Sequence, residues 1–362
     1  MNTQKPLLEI RDLVVEYRSR RRVVRAVDGV SLSVRPGETV GLVGESGSGK
    51  TTLGRAILGL APVTSGTITF GGQDITSLRG AARRKLAREM QAVFQDPYSS
   101  LNPALTVSKI VGEALRAPGQ VNSAEAAARV RDMLERVGLS SSAGGKFPAS
   151  FSGGQRQRIA IARALISSPR LVICDEAVSA LDLSIQAQIL NLLRGLQRET
   201  ALSYLFIGHD LDVVRYMAER TVVMYRGRVM EEGPADAVAR RPGHPYTRAL
   251  VASMPSHDPR MRKTARTALA DDVTAALAPP PPHGCPFAPR CPEAIGLCRE
   301  QPPPPVPTAD GGLVACHRYP ELAARPGAPV VPPVSTELVS EVPAQSPTLE
   351  GATMPGLPTS PE

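Results

Sequence analysis

The 362-residue chain has no Trp, and aromatic residues make up only 4% of it. Aromatics interleaved with basic residues, which stacking on single-stranded nucleic acid requires, are missing. No apolar run approaches the roughly 18 residues of a membrane-spanning helix. The opening stretch MNTQKPLLEIRDL lacks the basic-then-apolar pattern of a signal peptide. Together these absences predict a cytosolic chain whose thiols stay reduced and form no disulfides. No internal repeat of 20 to 50 residues is visible. Only five cysteines are present, and the C-x₂-C pairs of zinc ribbons are absent. What the chain has in excess is positive charge, +8 net, which favours nucleotide phosphates, nucleic acid or an anionic membrane surface as partners.

Along the chain, LLEIRDLVVEY and VVRAVDGVSLSV alternate as antiparallel strands do, with the basic run Arg18 to Arg22 as the loop between them. TVGLVG is an apolar strand, followed by a Gly-rich turn and the helix KTTLGRAILGL; SGTITFGGQDI reads as another hairpin. Residues 80 to 150 change to helical patterns. In SAEAAARVRDMLERVGL, Ser123 is the expected N-cap, Val130, Met133, Leu134 and Val137 form one stripe, and Gly138 lies past the end. Strand-helix alternation resumes with RLVICDE, SIQAQILNLLRGLQ, SYLFIGHD and RTVVMYRGRVME, which predicts a mostly parallel sheet. Two proline runs, Pro279 to Pro282 and Pro302 to Pro305, flank the cysteine cluster, and a Pro-rich tail expected to be disordered follows from about Ala323.

Three motifs carry chemistry. GESGSGKT, comprising Gly44, Glu45, Ser46, Gly47, Ser48, Gly49, Lys50 and Thr51, with Thr52 next, fits the phosphate-loop pattern between a buried strand and a helix. Its backbone N–H groups and the helix N-terminus suit phosphates; Lys50 is placed to reach the β- and γ-phosphates, and the Thr51 hydroxyl to ligate Mg²⁺. LVICDE ends in two carboxylates at the C-terminal end of a strand, where ligands of parallel sheets bind. Asp175 is expected to hold Mg²⁺ and Glu176 to polarise an attacking water, while Cys174 belongs to the core. FSGGQRQRIAIARAL places Ser152 as an N-cap before Gly153, Gly154 and Gln155, a second anion site beyond what one nucleotide needs. It therefore suggests service to the nucleotide of a partner copy.

FSGGQ just ahead of LVICDE, with GESGSGKT upstream, resembles the nucleotide-binding subunits of ABC transporters over roughly residues 7 to 250. The resemblance implies an α/β fold: a P-loop ABC ATPase domain with an antiparallel β subdomain and a helical subdomain, plus a small Cys-rich C-terminal extension. The implied division is 1–240 for the nucleotide-binding domain, with the helical subdomain about 97–155, then 241–322 for the extension and 323–362 for the tail. Tyr17 falls where the family's aromatic stacks on adenine, Gln95 matches the Q-loop glutamine and a Mg²⁺ contact, SALD to Asp182 matches the D-loop, and His209 matches the switch histidine on the γ-phosphate. Each also has a plain reading: a strand aromatic, a surface amide, a strand-end histidine. The chain departs from the pattern at Ala177, where relatives carry Pro, at Gly208, where Ser is common, and at Phe151 in place of Leu. VSALDLSIQAQILNLL, GHPYTRAL and GCPFAPRCPEAIGLC followed by ACH are similar to the ATPase subunits of dipeptide and oligopeptide importers.

Cys285, Cys291, Cys298 and Cys316 are spaced by 6, 7 and 18 positions, and four reduced thiols can form an S₄ site for zinc or iron–sulfur. Spacing leaves the two metals level, and four unligated cysteines remain the plain alternative. The Cys-Pro steps resemble iron–sulfur segments. Arg290, Arg299 and Arg318 would offset negative charge for either metal. The resemblance to peptide-importer ATPases implies a structural [4Fe–4S] cluster. The expected function is ATP hydrolysis powering peptide import at the cytoplasmic face of the membrane. The expected partners are a second ABC ATPase, paralogous or identical, two integral membrane permease subunits, reached through residues Gln95 to Pro103, and indirectly an extracytoplasmic peptide-binding protein. Nucleic acid is not an expected partner. The alternative is a nucleic-acid-processing ABC ATPase with a zinc site.

Overall fold

The computed structural model describes residues 5–19, 22–96, 100–115, 122–253, 280–319 and 321–322. Arg20 and Arg21 of the basic run, Pro97 to Ser99 of the expected permease-contacting segment, 116–121 of the helical region, Pro279, and the 323–362 tail lie outside the described residues. Residues 1–331 form a compact unit of their own.

The N-terminal alternation produces a four-stranded antiparallel sheet. β1 (Leu8–Ser19) pairs with β2 (Arg22–Val34) on one edge. On its other edge β1 pairs with Ser65–Phe70, the fourth strand of the chain, which turns back to a fifth at Gln73–Asp74. In a strict alternation every second side chain of β1 would face the core. The pairing register shifts between Ile10 and Leu13, where Asp12 adopts φ 48°. This bulge resets the phase, so that Leu8 and Ile10 before it and Leu13 and Val15 after it all point inward.

The larger sheet has eight strands. β3 (Thr39–Val43), β6 (Met90–Phe94), β7 (Leu171–Asp175), β8 (Ser203–Gly208) and β9 (Arg220–Tyr225) run parallel in the order β9-β3-β8-β7-β6. Every residue of β3 and β7 is buried. Their unbroken apolar runs suit strands covered on both faces. RTVVMYRGRVME, read above as a further member of the alternation, splits into a hairpin. Arg226 at φ 46° and Gly227 at φ 83° form its turn, and β10 (Arg228–Pro234) returns antiparallel to β9. Two successive positive φ values match the twist of a tight hairpin turn. Beyond β10 the sheet takes in β11 (Pro305–Pro307) and β12 (Leu313–Ala315), with Glu231 opposite Val314 and Glu232 opposite Leu313. The cysteine segment is thereby tied to the edge of this larger sheet.

Among the helices, α1 (Lys50–Ile57) follows β3, and α2 (Gly80–Glu89) precedes β6. The helical region holds α3 (Val107–Val111), α4 (Ser123–Arg136) and α5 (Gly153–Leu165). In α4 the cap is one residue earlier than expected. The Asn122 side chain accepts from the Glu125 N–H at 2.8 Å, and Ser123 is the first helical residue. Both residue types cap well, and geometry favours the Asn. Val130, Met133, Leu134 and Val137 are all buried, and Gly138 ends the helix at φ 75°. Then come α6 (Leu183–Thr200), α7 (Leu211–Met217), α8 (Ala235–Arg240) and α9 (Pro245–Ala252), with a last short turn, α10 (Leu297–Glu300), inside the cysteine segment. No described helix is long and apolar enough to cross a membrane.

Candidate functional site

Parallel pairing brings the chemistry to one edge of the sheet. Asp175 at the end of β7 lies opposite Ile207 of β8 and Phe94 of β6, and Leu42 of β3 also lies opposite Ile207. The residues that follow these strand ends are Gly44, Gln95, Glu176 and His209. Residues distant in sequence thus leave the sheet side by side, at the C-terminal ends of its strands, where parallel sheets bind ligands.

The phosphate loop is a backbone structure. Gly49, at φ 102°, precedes α1 with no side-chain cap, so the first N–H groups of the helix stay open to an anion. A Cβ on Gly49 would lie 2.1 Å from the Ala26 carbonyl oxygen, so only glycine fits. Ser46 and Gly47 form the exposed tip, and the Ser48 N–H donates to the Glu45 carbonyl at 3.2 Å. Lys50 is 4% exposed, and its ammonium donates to the carbonyls of Gly44 at 2.8 Å and Glu45 at 3.0 Å. Burial pulls its pKa below the usual lysine value, against the attraction of the Glu176, Asp175 and Glu45 carboxylates. Thr52 is half-buried beside it.

The Thr51 hydroxyl donates to Asp175 Oδ1 at 3.0 Å. Burial pushes the Asp175 carboxyl up; the Thr51 bond opposes this, and nearby Glu176 adds to it. Two hard oxygen donors in contact at a part-buried position, beside a phosphate cradle, fit Mg²⁺, which takes one or two protein oxygens and completes its shell with phosphate and water. Glu176 holds φ 51°, a left-handed conformation uncommon outside glycine. Its N–H donates to the Ile207 carbonyl at 3.0 Å, and its carbonyl accepts from the Ser179 hydroxyl at 3.0 Å. The strained backbone turns the carboxylate toward His209, with 3.9 Å between Oε2 and Nδ1. Gln95 is exposed just past the end of β6.

Ser152 and Gln155 form a reciprocal capping box. The Gln155 N–H donates to Ser152 Oγ at 3.4 Å, and the Ser152 N–H donates to Gln155 Oε1 at 3.1 Å. Gly153 is half-buried at the first turn of α5. Gly154 presses on α6, where a Cβ would meet Ile185 Cγ2 at 2.6 Å. Asp182 stands exposed at the N-terminus of α6 without capping it. Tyr17 is 42% exposed on β1, in the antiparallel sheet.

The four cysteines converge, but not as a metal site. Cys285, Cys291, Cys298 and Cys316 line one cavity of about 10 Å³ with His244 and His317. That is about the space one water requires. Among the described residues no group of three or more His, Cys, Asp or Glu is arranged to hold a metal ion. The expected [4Fe–4S] cluster is therefore overturned, the zinc alternative with it, and "iron–sulfur" and "metal-binding" do not describe this segment. The physical reason is packing: Cys285, Cys298 and Cys316 are buried as small apolar groups, and Cys291 is partly buried beside them. Burial pushes the Cys285 thiol up to about 11 and the Cys291 thiol up to about 12. Four gathered thiols are a compositional signal, and composition does not separate ligation from packing.

Sequence reading missed two residues that reach the phosphate loop. Tyr246, at the start of α9, accepts the Glu45 N–H at its hydroxyl, 2.8 Å away, and Arg290 donates to the Glu45 carboxylate at 2.9 and 3.1 Å. They lie 201 and 245 positions from Glu45, so no local pattern announces them.

Residues 27–179 match the ABC transporter family, and residues 230–298 match the oligopeptide/dipeptide transporter C-terminal region. A peptide import ATP-binding protein of Brucella abortus (strain 2308) is 49% identical over 314 residues, 86% of this chain and 92% of that protein. A peptide ABC transporter ATP-binding protein of Sinorhizobium fredii is 48% identical over 309 residues, 85% of this chain and 87% of its own. Among solved structures, the dimeric post-hydrolysis state of the ATP-binding cassette MJ0796 bound to ADP and Pi aligns with a TM-score of 0.58 at 29% identity, over 63% of this chain and 98% of that one. CbiO1 of Clostridium perfringens, part of an ABC transporter complex, aligns with a TM-score of 0.58 at 28% identity, over 65% and 91%.

Proposed function

This chain belongs to the ABC transporter ATP-binding family, in its peptide-import branch, and we propose that it hydrolyses ATP to drive peptide uptake through separate membrane subunits. One observation carries the reading: Lys50, the Thr51–Asp175 pair and the Glu176–His209 pair leave the same sheet edge around an uncapped helix N-terminus. The neighbouring match of residues 230–298 to the oligopeptide/dipeptide transporter region supports peptides as cargo. The same match leaves the nucleic-acid alternative unsupported, as does the loss of its zinc site.

In this reading the open N–H groups of Gly44 to Thr52 receive the phosphates, and Lys50 exchanges its two carbonyl partners for β- and γ-phosphate oxygens. That exchange matters because Lys50 is already stripped of water, so its charge acts at low dielectric. When bound, Mg²⁺ supplies further neutralisation of phosphate charge, with Thr51, Asp175 and, across the edge, Gln95 as its protein contacts. Glu176 accepts the proton of the attacking water, and His209 holds the γ-phosphate in line. Tyr17 lies under the adenine. Ser152, Gly153, Gly154, Gln155 and Asp182 close over the nucleotide of a second ATPase, a paralogue or a second copy. Residues 1–240 make up the nucleotide-binding domain and 241–322 an extension of it. The assembly sits on the cytoplasmic face of the membrane, with two permease subunits and a peptide-binding protein on the far side. Affinity purification from detergent-solubilised membranes tests this: recovery with two membrane subunits and a peptide-binding protein is expected. Recovery with DNA and no membrane protein would sink it.

A further inference from the structure

The C-terminal extension reaches Glu45 of the phosphate loop by two separate routes. The first runs through α9. The buried Glu231 carboxylate accepts the N–H groups of Gly243 at 2.8 Å and His244 at 2.9 Å, which fixes the chain entering the helix. His244 then caps it, its Nδ1 accepting from the Tyr246 N–H at 2.9 Å. Tyr246 is fully buried, and its hydroxyl receives the Glu45 N–H. The second route runs through the cysteine segment. Phe287 packs edge-on against Tyr225 with ring centroids 5.4 Å apart, and lies 5.3 Å from the Tyr246 ring. Arg290 lies over the rings of Tyr225 and Phe287 at 5.8 and 5.7 Å, and its guanidinium grips the Glu45 carboxylate. The Arg290 side chain is only 13% exposed. The pair is thus partly desolvated, and its attraction less screened than at an open surface.

Glu45 is an awkward residue for a phosphate loop. Its carboxylate stands beside a site that must accept several negative charges, and like charges a few ångströms apart repel. A mobile loop would also lose the preorganised N–H cradle. We propose that Arg290 and Tyr246 are positioning residues of the nucleotide site: Arg290 neutralises and restrains Glu45 while Tyr246 fixes its backbone, so that the C-terminal extension tunes ATP affinity through this one contact. The inference rests on the ATP reading above. Neither residue touches the nucleotide; both act through Glu45.

Steady-state ATP hydrolysis by the full-length chain tests it, with wild type, Arg290→Gln, Arg290→Lys, Tyr246→Phe, Glu45→Gln and the Glu45→Gln/Arg290→Gln double variant. Arg290→Gln is expected to raise KM for ATP about tenfold, with kcat changed less than about twofold; a tenfold change is about 1.4 kcal/mol. Arg290→Lys keeps the charge and should recover about half of the logarithmic loss, and Tyr246→Phe should raise KM about threefold. The effect of Arg290→Gln should shrink below about twofold when Glu45 is already Gln, because coupled residues are not additive. A full tenfold effect persisting in that background overturns the proposal, as does an unchanged KM in a variant that still melts cooperatively. If Arg290→Gln fails to fold, unchanged KM values in both Arg290→Lys and Tyr246→Phe overturn it. A wild-type chain that neither binds nor hydrolyses ATP sinks the nucleotide reading instead.

Discussion

The phosphate loop leaves backbone N–H groups open and keeps one ammonium within reach of a ligand; the cysteine segment turns four thiols into a cavity of about 10 Å³. The two regions touch, since Arg290 binds Glu45 and the next residue is Cys291. Yet they spend burial on opposite ends. Around Lys50, burial strips water from a charge that a ligand can then satisfy. Around Cys285, burial holds a thiol neutral and makes it core, with Cys291 partly buried beside it. Reactive-looking residue types therefore mean different things according to whether their polar atoms remain addressable.

The largest effect that would sharpen this contrast is on the nucleotide side. Glu176→Gln should lower phosphate release by about 10²–10³-fold while ATP binding persists, as loss of a general base does. Turnover near wild type would remove Glu176 from its role. Next comes Gly49→Ala, which forces a Cβ to within 2.1 Å of a backbone oxygen at φ 102°. It should cost about 2 kcal/mol or more of stability, seen as a lower melting temperature, together with loss of ATP binding.

On the cysteine side effects should be smaller. Cys285→Ser places a hydroxyl where a buried thiol packs, for about 1–2 kcal/mol. A chelator should leave the melting temperature of the wild type unchanged, and the purified chain should hold neither iron nor zinc in stoichiometric amount. A chelator that lowered the melting temperature would break the comparison outright. A further effect is a pH dependence at His244. Burial first, and nearby Arg248 second, lower its pKa to about 3, while a hydrogen bond with the Ala315 backbone opposes them. The unfolded chain binds a proton near pH 6.5, which the folded chain refuses until about 3. The stability this contributes is present above pH 6.5 and is lost as pH falls through that window. His244→Asn, which can still cap α9, should flatten the slope of melting temperature between pH 7 and 4.

How much was legible follows from how local each feature is. The phosphate loop, LVICDE and FSGGQ were readable because glycine at a turn, an unbroken apolar strand and a cap box are specified within a dozen residues. Errors arose where neighbours decide. Asn122 took the cap expected of Ser123 because a one-residue choice depends on the angle at which the chain enters the helix. RTVVMYRGRVME divided because Arg226 accepts a left-handed conformation that its residue type does not advertise. The cysteines were misread as ligands because spacing cannot report burial.

The order of strand, phosphate loop, helix and signature was written into the chain, since each is set by backbone sterics and hydrogen bonds among near neighbours. The meeting of Glu176 with His209, the gathering of four thiols around one cavity, and the grip of Arg290 on Glu45 across 245 positions were not. Those contacts exist because parallel strands align their C-terminal ends and because β12 pairs with β10, which carries the cysteine segment back to the phosphate loop. Register between distant strands is a property of the whole sheet, and no stretch of chain contains it.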